Sequence, residues 1–154
     1  MKPILVFLFL LLLIVGCGTS NEDTLTDNPG TIAYEYEVLE TNQEGDFELV
    51  LLKESENTFY TAITYLGDEK EVEIVHSAKV FSGVIYDDNE NIEAYIDVDD
   101  IEISTTLTAN EPFYENLQID NIIEKLDAFQ IDLEASFGVS DNRFEIPLSH
   151  KVEH

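Results

Sequence analysis

The sequence predicts an all-β fold, a sandwich of antiparallel strands that follows an exported leader and a flexible tether. Short runs of β-branched and aromatic residues recur from Thr31 onward, and turn-forming residues close each run. Within several runs apolar and polar residues alternate, which is the period of a strand with one buried face. Hydrophobic residues make up 44% of the 154-residue chain, so a core can form.

The first half of the domain is predicted to contain five strands. The first follows Thr31, where Ile32, Tyr34, Tyr36 and Val38 alternate with small or acidic residues. Four further runs cover residues 47–52, 58–66, 71–76 and 79–86, and all of them except 71–76 end at glycine, asparagine or acidic turn signals.

The second half is predicted to contain four strands and one helical turn. The strands cover residues 92–98, 101–107, 129–137 and 144–148. The last of them contains Pro147, whose missing N–H predicts either a place at the edge of a sheet or an unpaired position in the ladder. Residues 121–126 (NIIEKL) are the one stretch whose pattern fits a turn of helix.

The first sixteen residues have the pattern of a signal peptide. A short positive start precedes the apolar run 4–15, which is shorter than the ~20 residues of a membrane-spanning helix. The run closes on Ile14-Val15-Gly16-Cys17, which resembles the lipobox of bacterial lipoprotein signal peptides. That resemblance implies cleavage between Gly16 and Cys17 and a diacylglyceryl group, with fatty chains such as palmitate, on the Cys17 thiol.

A lipid on Cys17 decides where the protein acts. Two acyl chains hold a protein stably in a membrane, whereas one chain holds it only marginally. We therefore expect an anchor in the lipid bilayer at the extracytoplasmic face of the cell membrane. Residues 17–30, rich in turn formers and acids, are predicted to be a flexible linker with a reach on the order of 20 Å, and residues 31–154 to be the domain. Cys17 is the single cysteine, so the chain cannot form an internal disulfide.

The chain is strongly acidic, with a formal net charge of −26 at pH 7. A surface of carboxylates repels nucleic acid and anionic phospholipid, which argues against both as partners. The acids are spread along the chain, which favours adaptation to high salt or high pH. A specific site for a cation or a basic partner is the alternative.

Over residues 45–154 the chain resembles small membrane lipoproteins of Bacillus-type bacteria. The likeness is carried by the order of four segments, FELVLLKES, TFYTAITYLGDEKEVEIVHSAKVF, ISTTLTANEPF and FGVSDNRFEIPLSHKV. It implies an immunoglobulin-like β-sandwich that is related in fold to the intracellular proteinase inhibitor of that group. No segment of the chain can be matched to an inhibitor's reactive loop.

The residues that catalysis would need do not form a recognisable set. The single cysteine lies in the lipobox, and the chain contains no Gly-x-Ser-x-Gly elbow. His76 could act as a general base, but its place at the end of a valine- and isoleucine-rich run favours a hydrogen-bonded structural role. His150 and His154 lie in a segment that is predicted to be strand, where a spacing of four keeps them far apart. We expect no enzyme activity, no metal and no cofactor.

The acidic turn 87–91 does not match the loop of an EF-hand calcium site. An EF-hand loop beginning at Asp87 needs glycine at its sixth position and glutamate at its twelfth, where Ile92 and Val98 stand. A solvated hairpin tip is therefore favoured. A looser carboxylate site stays open as the alternative, and its candidate ligands are Asp87, Asp88 and Glu90 with Asp97, Asp99 or Asp100.

These observations favour a non-catalytic module that binds another envelope protein or has a structural role there. The seven tyrosines could include an exposed binding patch, although packing on a sheet explains most of them. An inhibitor of exported proteases is the first rival, and it rests on the resemblance alone. A lipoprotein that binds divalent cations is the second, and it rests on the charge. The sequence names no partner.

Overall fold

The structure, a computed structural model, describes residues 32–97 and 99–153. These residues form nine strands and one short helix, and two antiparallel sheets pack against each other. The elements in chain order are β1 (Glu37–Glu44), β2 (Phe47–Lys53), β3 (Phe59–Tyr65), β4 (Glu71–Asp87), β5 (Ile92–Ile96), β6 (Ile103–Thr108), β7 (Phe113–Asn116), α1 (Asp120–Ile123), β8 (Ala128–Val139) and β9 (Asn142–Glu153). The predicted all-β sandwich is confirmed. The predicted signal peptide and linker lie outside the described residues.

The first sheet has the strand order β1-β2-β3-β7, and the second has the order β5-β4-β8-β9. Strand β6 also pairs with β4, on the side of β4 that β8 leaves free. The chain crosses from the first sheet to the second between β3 and β4, and β7 returns to lie beside β3. With β2, β3 and β7 in one sheet and β4, β8 and β9 in the other, the domain is a two-sheet antiparallel sandwich.

The core lies between the two sheets and takes alternate residues from β2, β3, β8 and β9 together with buried residues of β4. From the first sheet come Phe59 and Ile63, and from the second come Phe81, Ile85 and Ile131, all at most 1% exposed. Burying a side chain of this size contributes about 1.5–3 kcal/mol relative to leaving it in water. At one end of the core aromatic rings meet edge to face or stacked, and they belong to Phe47, Phe137 and Phe144.

A second, smaller cluster lies on the outer face of the first sheet. Val50, Leu52 and Ala62 point away from the main core and are nevertheless 0% exposed. Residues 32–36 cross this face, with Tyr34 and Tyr36 packed against it. The prediction of a strand from residue 32 was wrong for this segment, because its alternating tyrosines lie on a sheet face and form no ladder there; β1 begins only at Glu37.

The structure also differs from the sequence prediction at β4. Residues 71–76 and 79–86 were predicted as two strands, but they form one strand of 17 residues. The segment between them, Ser77-Ala78-Lys79, contains no glycine, proline or asparagine, so the chain shifts register between His76 and Phe81 without turning back. Pro147 lies on β9, an edge strand, as predicted. No helix among the described residues is both long and apolar enough to cross a bilayer.

Candidate functional site: an open edge of the second sheet

Strands β5 and β6 lie end to end along one side of β4. Ile92–Ile96 runs antiparallel to residues 83–86, and Ile103–Thr108 runs antiparallel to residues 71–76. The chain between them spans the part of β4 where the register shifts. We call β5, β6 and the described residues between them the open edge, because within the described residues β5 and β6 each pair in a ladder with β4 alone. Just beyond β6, a bridge between Ala109 and Tyr65 joins the chain to the first sheet.

Large apolar side chains are exposed along the open edge. Tyr95 is 63% exposed, Ile101 61%, Ile92 49% and Ile103 39%. Of the large hydrophobic residues that are exposed in the described parts of the chain, only Val38 lies elsewhere. Scattered exposed apolar residues are ordinary, but four within twelve positions of an unpaired edge are typical of an interaction surface.

Carboxylates surround these apolar side chains. Five exposed acids lie on β5 or between the two strands, and they are Glu93, Asp97, Asp99, Asp100 and Glu102. The described residues form four ion pairs, centred on Lys70, Arg143, His150 and Lys151, and none of them includes these five acids. The open edge therefore combines apolar surface with negative charge that no cation of the described chain offsets in an ion pair.

Behind the open edge, Glu115 supports β4 where its ladder is interrupted. The Val80 N–H donates to Glu115 Oε2 over 3.1 Å, from the second sheet to β7 of the first. Burial raises the pKa of the Glu115 carboxyl, and the backbone N–H groups of Val80 and Phe81 together with Lys79 oppose that rise. Val80 is only 2% exposed, so this carboxylate satisfies an amide that water does not readily reach.

His76 fastens β6 to β4. Its ring is 5% exposed, Nδ1 lies 2.5 Å from the Ser77 carbonyl oxygen, and Nε2 lies 2.8 Å from the Thr105 hydroxyl. A neutral ring that donates from Nδ1 accepts from Thr105 at Nε2, so both nitrogens are engaged. This is the hydrogen-bonded structural histidine that the sequence favoured over a general base.

The opposite side of the second sheet is closed. Asn42 on β1 donates its side-chain N–H to the Pro147 carbonyl oxygen on β9 over 2.6 Å. His150 Nδ1 lies 3.3 Å from Glu40 Oε2, and the two form an ion pair when the imidazole is protonated. We call this junction of β1 with β9 the closed edge. His154, the other histidine of this predicted strand, lies outside the described residues.

The acidic turn between β4 and β5 is held by its own side chains. Asp87 Oδ1 accepts from the Asn89 and Asn91 N–H groups at 2.9 and 2.7 Å, and Oδ2 accepts from the Asn91 side chain at 2.8 Å. These hydrogen bonds, led by the Asn91 side chain, lower the pKa of Asp87. Asp88 accepts from the Asn89 side chain, and Glu90 adopts a left-handed conformation with φ 64°.

The other candidate cation ligands are not gathered around that turn. Asp97, Asp99 and Asp100 belong to the open edge, beyond the far end of β5. In residues 32–97 and 99–153 no three His, Cys, Asp or Glu side chains are placed to hold a metal ion.

Four of the seven tyrosines pack together on one face, and a fifth is exposed elsewhere. Tyr34, Tyr36, Tyr60 and Tyr114 cover the outer face of the first sheet, where Tyr36 stacks on Tyr60 with ring centroids 4.7 Å apart. The Tyr34 hydroxyl donates to Glu48 over 2.5 Å, and burial together with this bond raises its pKa far above the usual range. Tyr95, by contrast, stands exposed on the open edge.

Sequence reasoning did not single out Ile92, Ile101, Ile103 or Glu115. Two short apolar runs separated by Asp97, Asp99, Asp100 and Glu102 were a signal for an interrupted edge. The partner of Glu115 lies 35 residues away, and no local pattern indicates it. No protein-family model matches this chain, and no curated protein matches it.

Proposed function

We propose that this protein is a lipid-anchored module of the extracytoplasmic membrane face that binds another protein of the cell envelope. The observation that carries the proposal is the open edge, where exposed apolar side chains line two strands whose outer sides have no partner strand among the described residues. Unpaired edges are templates for pairing, and proteins that keep them exposed use them or block them.

The chemistry-bearing residues of the domain also support a binding role. His76 is engaged at both ring nitrogens, Asp87 holds a turn, and Glu115 holds a backbone amide. Each of these groups serves the fold where it stands. Binding at the open edge requires only that these groups hold its strands in position.

The membrane location in this proposal comes from the sequence. Ile14-Val15-Gly16-Cys17 follows an apolar run of signal-peptide length, and lipid on Cys17 would hold the domain near the bilayer. In that position the domain would meet other envelope proteins, and its negative charge would keep it off anionic lipid.

Two measurements on the full chain in its native host test the proposal. Cys17→Ala should abolish labelling by radioactive palmitate and leave an uncleaved precursor, whereas the control Gly18→Ala should be processed and labelled as the parent chain. Normal processing of the Cys17→Ala chain would contradict the anchor.

The binding half is tested by crosslinking in living cells. A photoreactive amino acid at position 95 should give a discrete adduct with an envelope protein. The control position is 56, an exposed glutamate in the turn between β2 and β3. Photoreactive residues on the outer face of the first sheet and at the closed edge complete the set, and adducts from none of these positions would contradict a binding role.

A further inference from the structure

We propose that the open edge receives an extended, lysine- or arginine-bearing segment of a partner protein, which adds to the second sheet as a further strand. This inference rests on the proposed function and names the chemistry of the partner. It draws on three properties of the open edge, which are its backbone, its charge and its apolar side chains.

The backbone supplies the first argument. Because β5 and β6 are collinear along β4, an incoming strand could run beside both of them in one direction. An added strand forms main-chain hydrogen bonds to an edge, and these bonds give affinity without a pocket. Strand β4 is fixed beneath them by the bonds from His76 to Thr105 and from Val80 to Glu115, so the edge does not have to order itself on binding.

Charge decides which strand is accepted. The edge contains Glu93, Asp97, Asp99, Asp100 and Glu102, all exposed and outside the ion pairs of the described residues. A second copy of this chain would bring the same acids to the same edge and a net charge of −26 to the encounter. Like charges opposed across an interface disfavour that pairing, and a cationic segment gains from it.

The apolar side chains set the pattern of the incoming segment. Successive residues of a strand point to opposite faces, so a segment that pairs here would place every second side chain on the same face as Tyr95. Exposed apolar residues on an edge gain most from apolar neighbours on the added strand. The segment that fits therefore has apolar residues beside β5 and β6 and lysine or arginine beside the acids that lie between these two strands.

The test uses the full chain in detergent micelles and a synthetic 18-residue peptide of valine and lysine with the lysines at its centre, because the ladders of β5 and β6 together extend along residues 71–86 of β4, on the order of 50 Å. We expect binding to slow amide hydrogen exchange in β5 and β6 by about tenfold or more at saturation, and to leave β9 unchanged. A peptide with glutamate in place of lysine should not bind. A peptide N-methylated at every second residue should not bind either, because it cannot form the ladder.

Charge reversal of the chain provides the matched comparison. Reversing four acids of the open edge to lysine, in the variant D97K/D99K/D100K/E102K, should raise the Kd of the lysine peptide by about tenfold or more. The control variant E44K/E54K/E56K/E124K changes the net charge by the same amount at exposed positions away from the edge, and its Kd should rise much less.

Four results would overturn the inference. They are equal binding of the N-methylated peptide, equal weakening by the two quadruple variants, protection at β9 instead of β5 and β6, and self-association of the chain through the open edge. If none of the three peptides binds while crosslinks to an envelope protein form from other positions, this inference fails and the proposed function stands. If crosslinks form from no position, the proposed function itself fails.

Discussion

The second sheet has two edges, and they limit pairing with further strands in different ways. At the closed edge, the long strand β9 contains Pro147 and lies against β1 of the other sheet, with Asn42 bonded across the junction. At the open edge, β5 and β6 are short, interrupted by acids, and lined with exposed isoleucine and tyrosine. Proline and a covering element block further pairing, whereas acids block only partners of like charge.

The difference separates stability from recognition. Contacts at the closed edge join the two sheets, so losing one should lower the free energy of unfolding. Exposed side chains at the open edge contact little of the domain, so losing one should alter binding alone. The following predictions test this division, from the largest expected effect to the smallest.

A substitution at Gly83 should have the largest effect on stability, because this residue of β4 pairs with both β5 and β8. A Cβ at this position would overlap the Asp132 carbonyl oxygen and lie 2.7 Å from Leu133 Cδ2. Gly83→Ala should therefore lower the free energy of unfolding by about 3 kcal/mol, measured by urea denaturation. Gly138→Ala is the control, since its Cβ would meet only ordinary contacts at 3.7 Å and beyond. Equal losses in the two variants would show that close packing at Gly83 is not the cause.

Substitutions of Glu115 test how much its hydrogen bond to Val80 stabilises β4 behind the open edge. Glu115→Ala leaves the buried Val80 N–H without its acceptor, which should cost about 1–3 kcal/mol. Glu115→Gln keeps an acceptor oxygen and carries no charge, so it should be close to the parent chain or above it at neutral pH. If Glu115→Gln loses as much as Glu115→Ala, the hydrogen bond is not what Glu115 contributes.

The Glu115→Gln variant and the parent chain should also differ in how their stability depends on pH. Burial raises the pKa of Glu115 above its ordinary 4.5, so the folded chain holds this proton more tightly than the unfolded chain. The stabilisation that the protonated Glu115 carboxyl contributes is fully present below pH 4.5, and it is lost as the pH rises through the raised pKa that this carboxyl has in the folded chain. Thermal unfolding at a series of pH values should therefore show that the stability of Glu115→Gln rises relative to that of the parent chain across this pH range. A constant difference would contradict the assignment.

Asn42 tests the closed edge with a smaller change. Asn42→Ala removes the hydrogen bond to the Pro147 carbonyl oxygen and should cost about 1 kcal/mol. Thr41→Ala is the control, because the neighbouring residue of a strand points to the other face. Hydrogen exchange in β1 and β9 should quicken only in the Asn42 variant, and similar exchange in both would count against the junction.

Tyr95 should show the smallest effect on stability. With 63% of its surface exposed, Tyr95→Ser should change the free energy of unfolding by no more than about 0.5 kcal/mol while weakening binding of the lysine peptide. Tyr60→Ser should cost about 1 kcal/mol or more, because Tyr60 stacks on Tyr36 and covers the outer cluster. A stability loss at Tyr95 as large as that at Tyr60 would contradict the distinction between the exposed Tyr95 and the packed tyrosines of the outer cluster.

Much of this architecture could be predicted from local patterns. Alternation identified residues 129–137 and 144–148 as strands, and the missing N–H of Pro147 predicted its edge position. Strand β7 was missed, since four half-buried residues give no alternation. Residues 32–36 alternate like a strand because Tyr34 and Tyr36 both pack against the outer face of the first sheet. A segment that lies across a sheet can show this period without pairing in a ladder.

The candidate site was harder to predict, for a different reason. Whether Ile92 and Tyr95 are exposed depends on whether a further strand pairs with the outer side of β5, and that is decided by where the other strands of the chain lie. The hydrogen bond between Glu115 and Val80 likewise joins residues from different sheets. Local patterns describe which face of a strand is apolar, but not which edge of a sheet is left unpaired.

The tyrosine cluster on the first sheet has a mechanical consequence. In the anchored form proposed above, any pull between the membrane and a bound partner enters the domain through residues 32–36, which lie on that sheet without belonging to it. Tension would detach Tyr34 and Tyr36 before loading the ladder of β1 and β2, and would release roughly 17 Å of chain. The segment would yield first under load and close again when the load is removed, leaving the sandwich intact.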